Sequence, residues 1–125
     1  MSGSIRIAIP ADTAHVALVR AAASALAARL DFTFDRITDL HIAVDEICSR
    51  LLAVSQAPTR IEVTFDVGDE GSLAIRATVD GGRRADRDLF TEWSRVILDA
   101  ITDHYEASEP EGTTTFDVEL SRAST

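Results

Sequence analysis

The chain has no lysine and no asparagine, and all 12 of its basic residues are arginine. Chemistry that needs a phosphate-gripping lysine, a Schiff-base lysine or an asparagine metal ligand is therefore excluded. A single cysteine, Cys48, rules out an intrachain disulfide. No apolar run approaches the ~20 residues that a membrane-spanning helix needs, so no membrane contact is expected. The opening "MSGSIRIAIPAD" lacks the charged-then-apolar layout of a signal peptide. Positive charge is also scarce: 21 acidic against 12 basic residues leave a net charge of −9. A nucleic-acid binder needs a basic surface to release counterions, so no direct nucleic-acid contact is expected. A soluble cytoplasmic protein with a positively charged protein partner is the expected class.

What is present is an ordinary globular composition, 46% apolar and 26% charged over 125 residues, enough for one domain with one core. "SIRIAIP" alternates Ile5, Ile7 and Ile9 with polar or small residues and predicts a strand with one buried face. Asp12 or Thr13 can cap a helix from Ala14 to Leu30 that carries Val16, Val19, Ala23, Leu26 and Leu30. A second helix starts near Asp35, with Ile37, Leu40, Val44, Ile47, Leu51 and Val54 in one apolar stripe. "RIEVTFDV" and "LAIRATVD", separated by the turn "GDEGS", predict an antiparallel hairpin. After the polar loop "GGRRADRD", a third helix is expected from about Asp88 to Asp103. Its apolar face would hold Leu89, Phe90, Trp93, Val96, Ile97, Ala100 and Ile101. "HYEAS" and "TTTFDVELS" predict two last strands, and "RAST" a frayed tail. The clean alternation in the strands implies one wet sheet face and one covered by helices. The expected fold is a two-layer α/β sandwich with a mixed, mostly antiparallel sheet, one domain over 1–125.

Few residues ask for chemistry. His15, His41 and His104 fall on separate elements without metal-ligand spacing. Cys48 sits beside the second helix's stripe and reads as structural. Trp93 reads as a core anchor. "VDGG", Val79 to Gly82, is either a flexible turn or a backbone that must approach a ligand closely. "RRADR" is either a solvated run or a contact for phosphate or an acidic partner. Glu46 and Arg50, one helical turn apart, make at least a surface pair contributing ~0.3–0.5 kcal/mol.

The order of these features carries a resemblance. "DLHIAVDEICSRLL" is similar to a "DL-x-L-A-V-x-E-A-x-x-N-A" helix, "ATVDGG" to a "V-x-D-x-G-x-G" turn, and "ILDAITDHYEASEPEGTTTFDVEL" to a helix end and closing hairpin. Together they resemble the GHKL ATPase fold, and within it the small anti-sigma factors that double as serine protein kinases. The resemblance implies that Glu46 stands at the position of the catalytic base. It puts Asp80 at the adenine-reading position and Gly82 at the first glycine that follows. Arg50 then replaces the asparagine that holds Mg²⁺, and Arg84 replaces the second glycine. Glu92-Trp93-Ser94 stands where a Gly-x-Gly motif would open the third helix and cradle phosphates. Little room remains between Arg83 and Trp93 for the family's ATP lid.

A guanidinium has no lone pair to offer a metal. Glu46 and Arg50 are therefore expected to pair as a converted site. The resemblance implies an anti-sigma factor that sequesters a bacterial sigma factor, is released by an anti-anti-sigma antagonist, and pairs as a homodimer. Kinase activity is expected to be lost or reduced, with absent or weak ATP binding and no Mg²⁺. The alternatives are an active ATP-dependent serine protein kinase acting on the antagonist, and a non-catalytic small-ligand sensor using the pocket around Asp80.

Overall fold

The computed structural model describes residues 3–68 and 70–122. Asp69 of the expected "GDEGS" turn and residues 123–125 of the expected frayed tail lie outside them. The elements are β1 (Gly3–Pro10), α1 (Val16–Arg29), α2 (Phe34–Val54), β2 (Arg60–Val67), β3 (Ser72–Val79), α3 (Glu92–Ile101), β4 (His104–Ser108) and β5 (Thr114–Ser121). The strands form one sheet in the order β1-β2-β3-β5-β4. Every neighbouring pair is antiparallel.

Alternation places the core. Ile61, Val63 and Phe65 of β2, Leu73, Ile75, Ala77 and Val79 of β3, and Phe116, Val118 and Leu120 of β5 are buried together. Above them lies α2, whose Leu40, Val44, Ile47, Leu51 and Val54 are buried, as its three-and-four spacing requires. Thr33 caps this helix by accepting from the Arg36 amide at 3.2 Å. Asp12 caps the single 3-10 turn that leads into α1, accepting from the Ala14 amide at 2.9 Å.

β1 departs from its pattern. Ile9 is buried, but Ile5 is 44% exposed, so the covered face of this edge strand fades toward its start.

The third helix departs further. It begins at Glu92, not Asp88, because Thr91 caps it by accepting from the Ser94 amide at 2.9 Å. Its inward arc holds Ser94 and Leu98, both fully buried. Trp93, expected in the core, is 68% exposed, and Val96 is 54% exposed. The physical reason is rotational phase. Leu89 and Phe90 precede the helix, so they do not share its face. A ten-residue helix buries one arc only, here the one through positions 94 and 98.

One buried cation joins the layers. Arg36, 4% exposed, donates from Nε to the Ser121 carbonyl at 2.9 Å and from Nη1 to the Ile101 carbonyl at 2.6 Å. It also bonds the carboxylates of Asp39 at 3.2 Å and Asp103 at 3.3 Å. Asp103 in turn accepts from the Ser121 amide at 2.6 Å. The start of α2, the end of α3 and the end of β5 thus meet at one guanidinium.

Candidate functional site

The folding of α2 over the sheet brings Glu46 and Arg50 to face the chain that leads into α3. They do not pair with each other. Arg50 Nη2 donates to the Asp88 carbonyl at 2.6 Å, and its Nε donates to the Leu89 carbonyl at 3.0 Å. Glu46 Oε2 accepts from the Ser94 hydroxyl at 2.5 Å. The pairing expected from their spacing is thus replaced by contacts to residues about forty positions later. Two nitrogens of one guanidinium thus serve two successive carbonyls of the loop.

These contacts have a common effect. Positions 46 and 50 of α2 are bonded directly to the start of α3 and to the loop before it. The Glu46 carboxylate lies at the positive end of α3, where a negative group is favoured. A carboxylate beside a serine hydroxyl has the outline of a base and its nucleophile, but Ser94 is fully buried, so no electrophile reaches it.

The loop is held at its other end too. The Arg84 amide donates to the Val54 carbonyl at 2.6 Å, and Arg84 Nε donates to the Ser55 carbonyl at 3.1 Å. The Gln56 amide donates to the Gly82 carbonyl at 2.9 Å. Arg83 Nη1 reaches Glu109 at 3.2 Å, and its Nη2 reaches the Arg87 carbonyl at 2.6 Å. The arginines of "RRADR" are therefore divided. Two of them fasten the loop to the body of the domain, and Arg84 also satisfies carbonyls at the end of α2. Arg50→Ala removes the strap at Asp88 and Leu89. We expect tryptic cleavage at Arg83, Arg84 and Arg87 to accelerate severalfold while the far-ultraviolet dichroism stays that of the parent. Unchanged cleavage would mean that the loop is held without Arg50.

Asp80 and Gly82 lie at the far side of this clasp. The Asp80 carboxylate accepts from the Thr59 amide at 2.8 Å, from the Arg60 amide at 3.0 Å and from the Thr59 hydroxyl. The Thr59 hydroxyl first, and then these amides, hold its carboxyl below the usual carboxylate range. The folded state therefore favours the ionised form. That contribution is present at neutral pH and is lost as pH falls through the lowered value. The Asp80 carbonyl accepts from the Ser55 hydroxyl at 2.8 Å. Asp80 thus closes the turn into β2. Gly81, with φ of +93°, is the glycine that this turn requires: a Cβ there would stand 2.5 Å from the Ala57 carbonyl oxygen. Gly82 has φ of +73° and open space around it.

The residues do not fit Mg²⁺-ATP as a cofactor. Arg50, which the motif resemblance sets in place of a metal ligand, has no lone pair to offer one. The start of α3 is capped by Thr91 and carries Glu92, with the Glu46 carboxylate bonded to Ser94 just inside it. A phosphate there would meet negative charge and an occupied donor. Among the described residues no group of three or more His, Cys, Asp and Glu could hold a metal ion. His41 bonds Ser24 between α1 and α2, and His104 lies 3.7 Å from Glu106 on the sheet. Cys48 is buried, and burial pushes its thiol up to about 12, which leaves it an unreactive core residue at neutral pH. No helix among the described residues is long and apolar enough to cross a membrane.

Known proteins share this architecture. The structure of the RsbU and RsbW domains of Rv1364c from Mycobacterium tuberculosis superposes with a TM-score of 0.74 at 17% identity, over 95% of this chain and 32% of that one. In sequence, the chain is 44% identical over 72 residues to the serine-protein kinase RsbW of Bacillus velezensis, covering 58% of this chain and 39% of that protein. It is 32% identical over 91 residues to the serine-protein kinase RsbW of Halalkalibacterium halodurans, covering 71% of this chain and 54% of that protein. The chain thus spans about half the length, or less, of these relatives. Residues 9–116 match the histidine kinase-like ATPase domain. Since that match takes in every element from the end of β1 to the middle of β5, the chain belongs to the histidine kinase-like ATPase domain family.

Proposed function

We propose that this chain is an anti-sigma factor that holds a bacterial sigma factor by protein–protein contact, is released by an anti-anti-sigma antagonist, and works without turning over ATP. The observation that carries the second half is the strap across α2 and α3. Arg50 on the carbonyls of Asp88 and Leu89, and Glu46 on Ser94, occupy the space between these elements. The first half is supported by the relatives named RsbW and by the resemblance of the motifs to anti-sigma factors. Glu46, Asp80 and Gly82 are on this view vestiges of a nucleotide site, retained for the structural contacts they now make. A net charge of −9 suits a basic partner, and we place the chain in the cytoplasm with the sigma factor it would hold.

The homodimer belongs to the same proposal. β1 is an eight-residue edge strand whose one charged residue is Arg6. The opposite edge, β4, is five residues long and carries His104 and Glu106. Short, charged edges resist pairing, so β1 is the edge we assign to a second copy.

The test is co-elution of the purified chain with a purified sigma factor in EDTA, without nucleotide. A stable complex is expected, and association should slow between low and physiological salt as the Debye length falls to ~8 Å. A complex that forms only with Mg²⁺-ATP would favour the second reading, an active serine protein kinase, which the relatives' names also support. No complex under either condition would leave the small-ligand sensor, with the groove of about 380 Å³ beside Asp80 as its site.

A further inference from the structure

At one corner of the domain the helix layer ends before the sheet does. The end of α1 lies beside the start of β1, where Ile5 is 44% exposed in spite of its inward register. Ile5, Val67 at the end of β2, and the half-buried Leu26 and Leu30 wall an open, mainly apolar groove of about 350 Å³. That volume is at the lower end of the range for small-molecule sites, about 300–1,000 Å³. Arg29 and Ser4 stand at its rim.

Arg29 is set apart from most arginines of this chain. Arg20, Arg36, Arg50, Arg60, Arg76, Arg83 and Arg84 all hold a carboxylate or a carbonyl. Arg29 makes no hydrogen bond or ion pair among the described residues. A guanidinium with no partner among the described residues, beside an uncovered apolar wall, is complementary to a ligand with one negative head and one apolar tail.

We propose that this groove binds a single-chain amphiphilic carboxylate, with the tail against Ile5, Leu26, Leu30 and Val67 and the carboxylate on Arg29. One guanidinium matches one carboxylate in a two-bond fork. The inference is independent of the sigma-factor proposal and of any nucleotide.

Octanoate, kept below its micellar concentration, is the probe, with octan-1-ol and acetate as comparisons and the full ¹⁵N-labelled chain as receptor. The expected result is saturable amide shifts confined to Gly3–Ile5, Leu26–Leu30 and Val67 with octanoate, and none with acetate. Arg29→Gln should weaken octanoate about tenfold and leave octan-1-ol unchanged. Ile5→Ser should weaken both. The proposal is overturned by any of four results: shifts elsewhere or none, equal response to acetate, equal loss of octanoate and octan-1-ol in Arg29→Gln, or shifts that follow dissociation of a dimer in sedimentation. The last would assign the groove to a second copy of this chain.

Discussion

Arg36→Ala is expected to destabilise the domain by about 3–5 kcal/mol, the range for removing one partner from a buried charged network. The guanidinium is 4% exposed and serves the carbonyls of Ile101 and Ser121 and the carboxylates of Asp39 and Asp103. Without it, the Ile101 and Ser121 carbonyls lose this donor and two half-buried acids lose their counter-charge. Arg36→Lys keeps the charge but cannot reach several acceptors with one ammonium group, so it should recover only part of the loss. Urea denaturation of the three proteins checks the order. A loss below about 1 kcal/mol in Arg36→Ala would place this residue with the exposed ion pairs, which contribute little.

Gly81→Ala carries the second large effect. The residue sits at φ of +93°, and the added carbon would lie 2.5 Å from the Ala57 carbonyl oxygen, a backbone atom that cannot rotate away. Backbone strain of about 1–3 kcal/mol and a comparable overpacking term give an expected loss of roughly 2–4 kcal/mol. Gly82→Ala is the internal control. It shares the positive φ, +73°, but its Cβ would meet nothing within 4 Å, so only the conformational part, about 1 kcal/mol, should remain. Thermal or urea denaturation showing equal losses for the two would remove the steric account of this turn.

These residues also show where the sequence was legible. The stripe of α2 and the hairpin of β2 and β3 repeat their periods long enough to decide element and face. The five-strand sheet and its helix layer follow from them. α3 was not legible in phase. Leu89 and Phe90 look like its first turn but belong to the loop, and the fully buried Ser94 is polar because its hydroxyl bonds Glu46. Arg36 gave no signal, since a lone arginine at a helix start reads as solvated until β5 and α3 are seen to close over it.

The partners of Glu46, Arg50, Asp80 and Gly82 were not legible. What each one touches depends on the path of the loop before α3. Arg50 was expected on Glu46, four residues away, and is found on carbonyls 38 and 39 positions later. Gly82 attracted attention through the motif, while the steric requirement falls on Gly81. Thr59, the residue that occupies the Asp80 carboxylate, lies 21 positions from it and belongs to no motif.

On the proposed reading, contacts within the chain fill the space a nucleotide would need. Arg50→Asn, which supplies the side chain that the resemblance gives to a metal ligand, should therefore not by itself confer Mg²⁺-ATP binding, because Thr91, Glu92 and the Glu46–Ser94 bond still occupy the start of α3. Thermal denaturation of the unaltered protein with millimolar Mg²⁺-ATP is the direct test. A ligand at 100 times its dissociation constant stabilises a fold by ~2.7 kcal/mol, which for a domain of this size is a rise in Tm on the order of 10 °C. The expected result is no Mg²⁺-dependent shift. A clear Mg²⁺-dependent rise would mean that nucleotide binds in spite of the Arg50 strap and would overturn this reading.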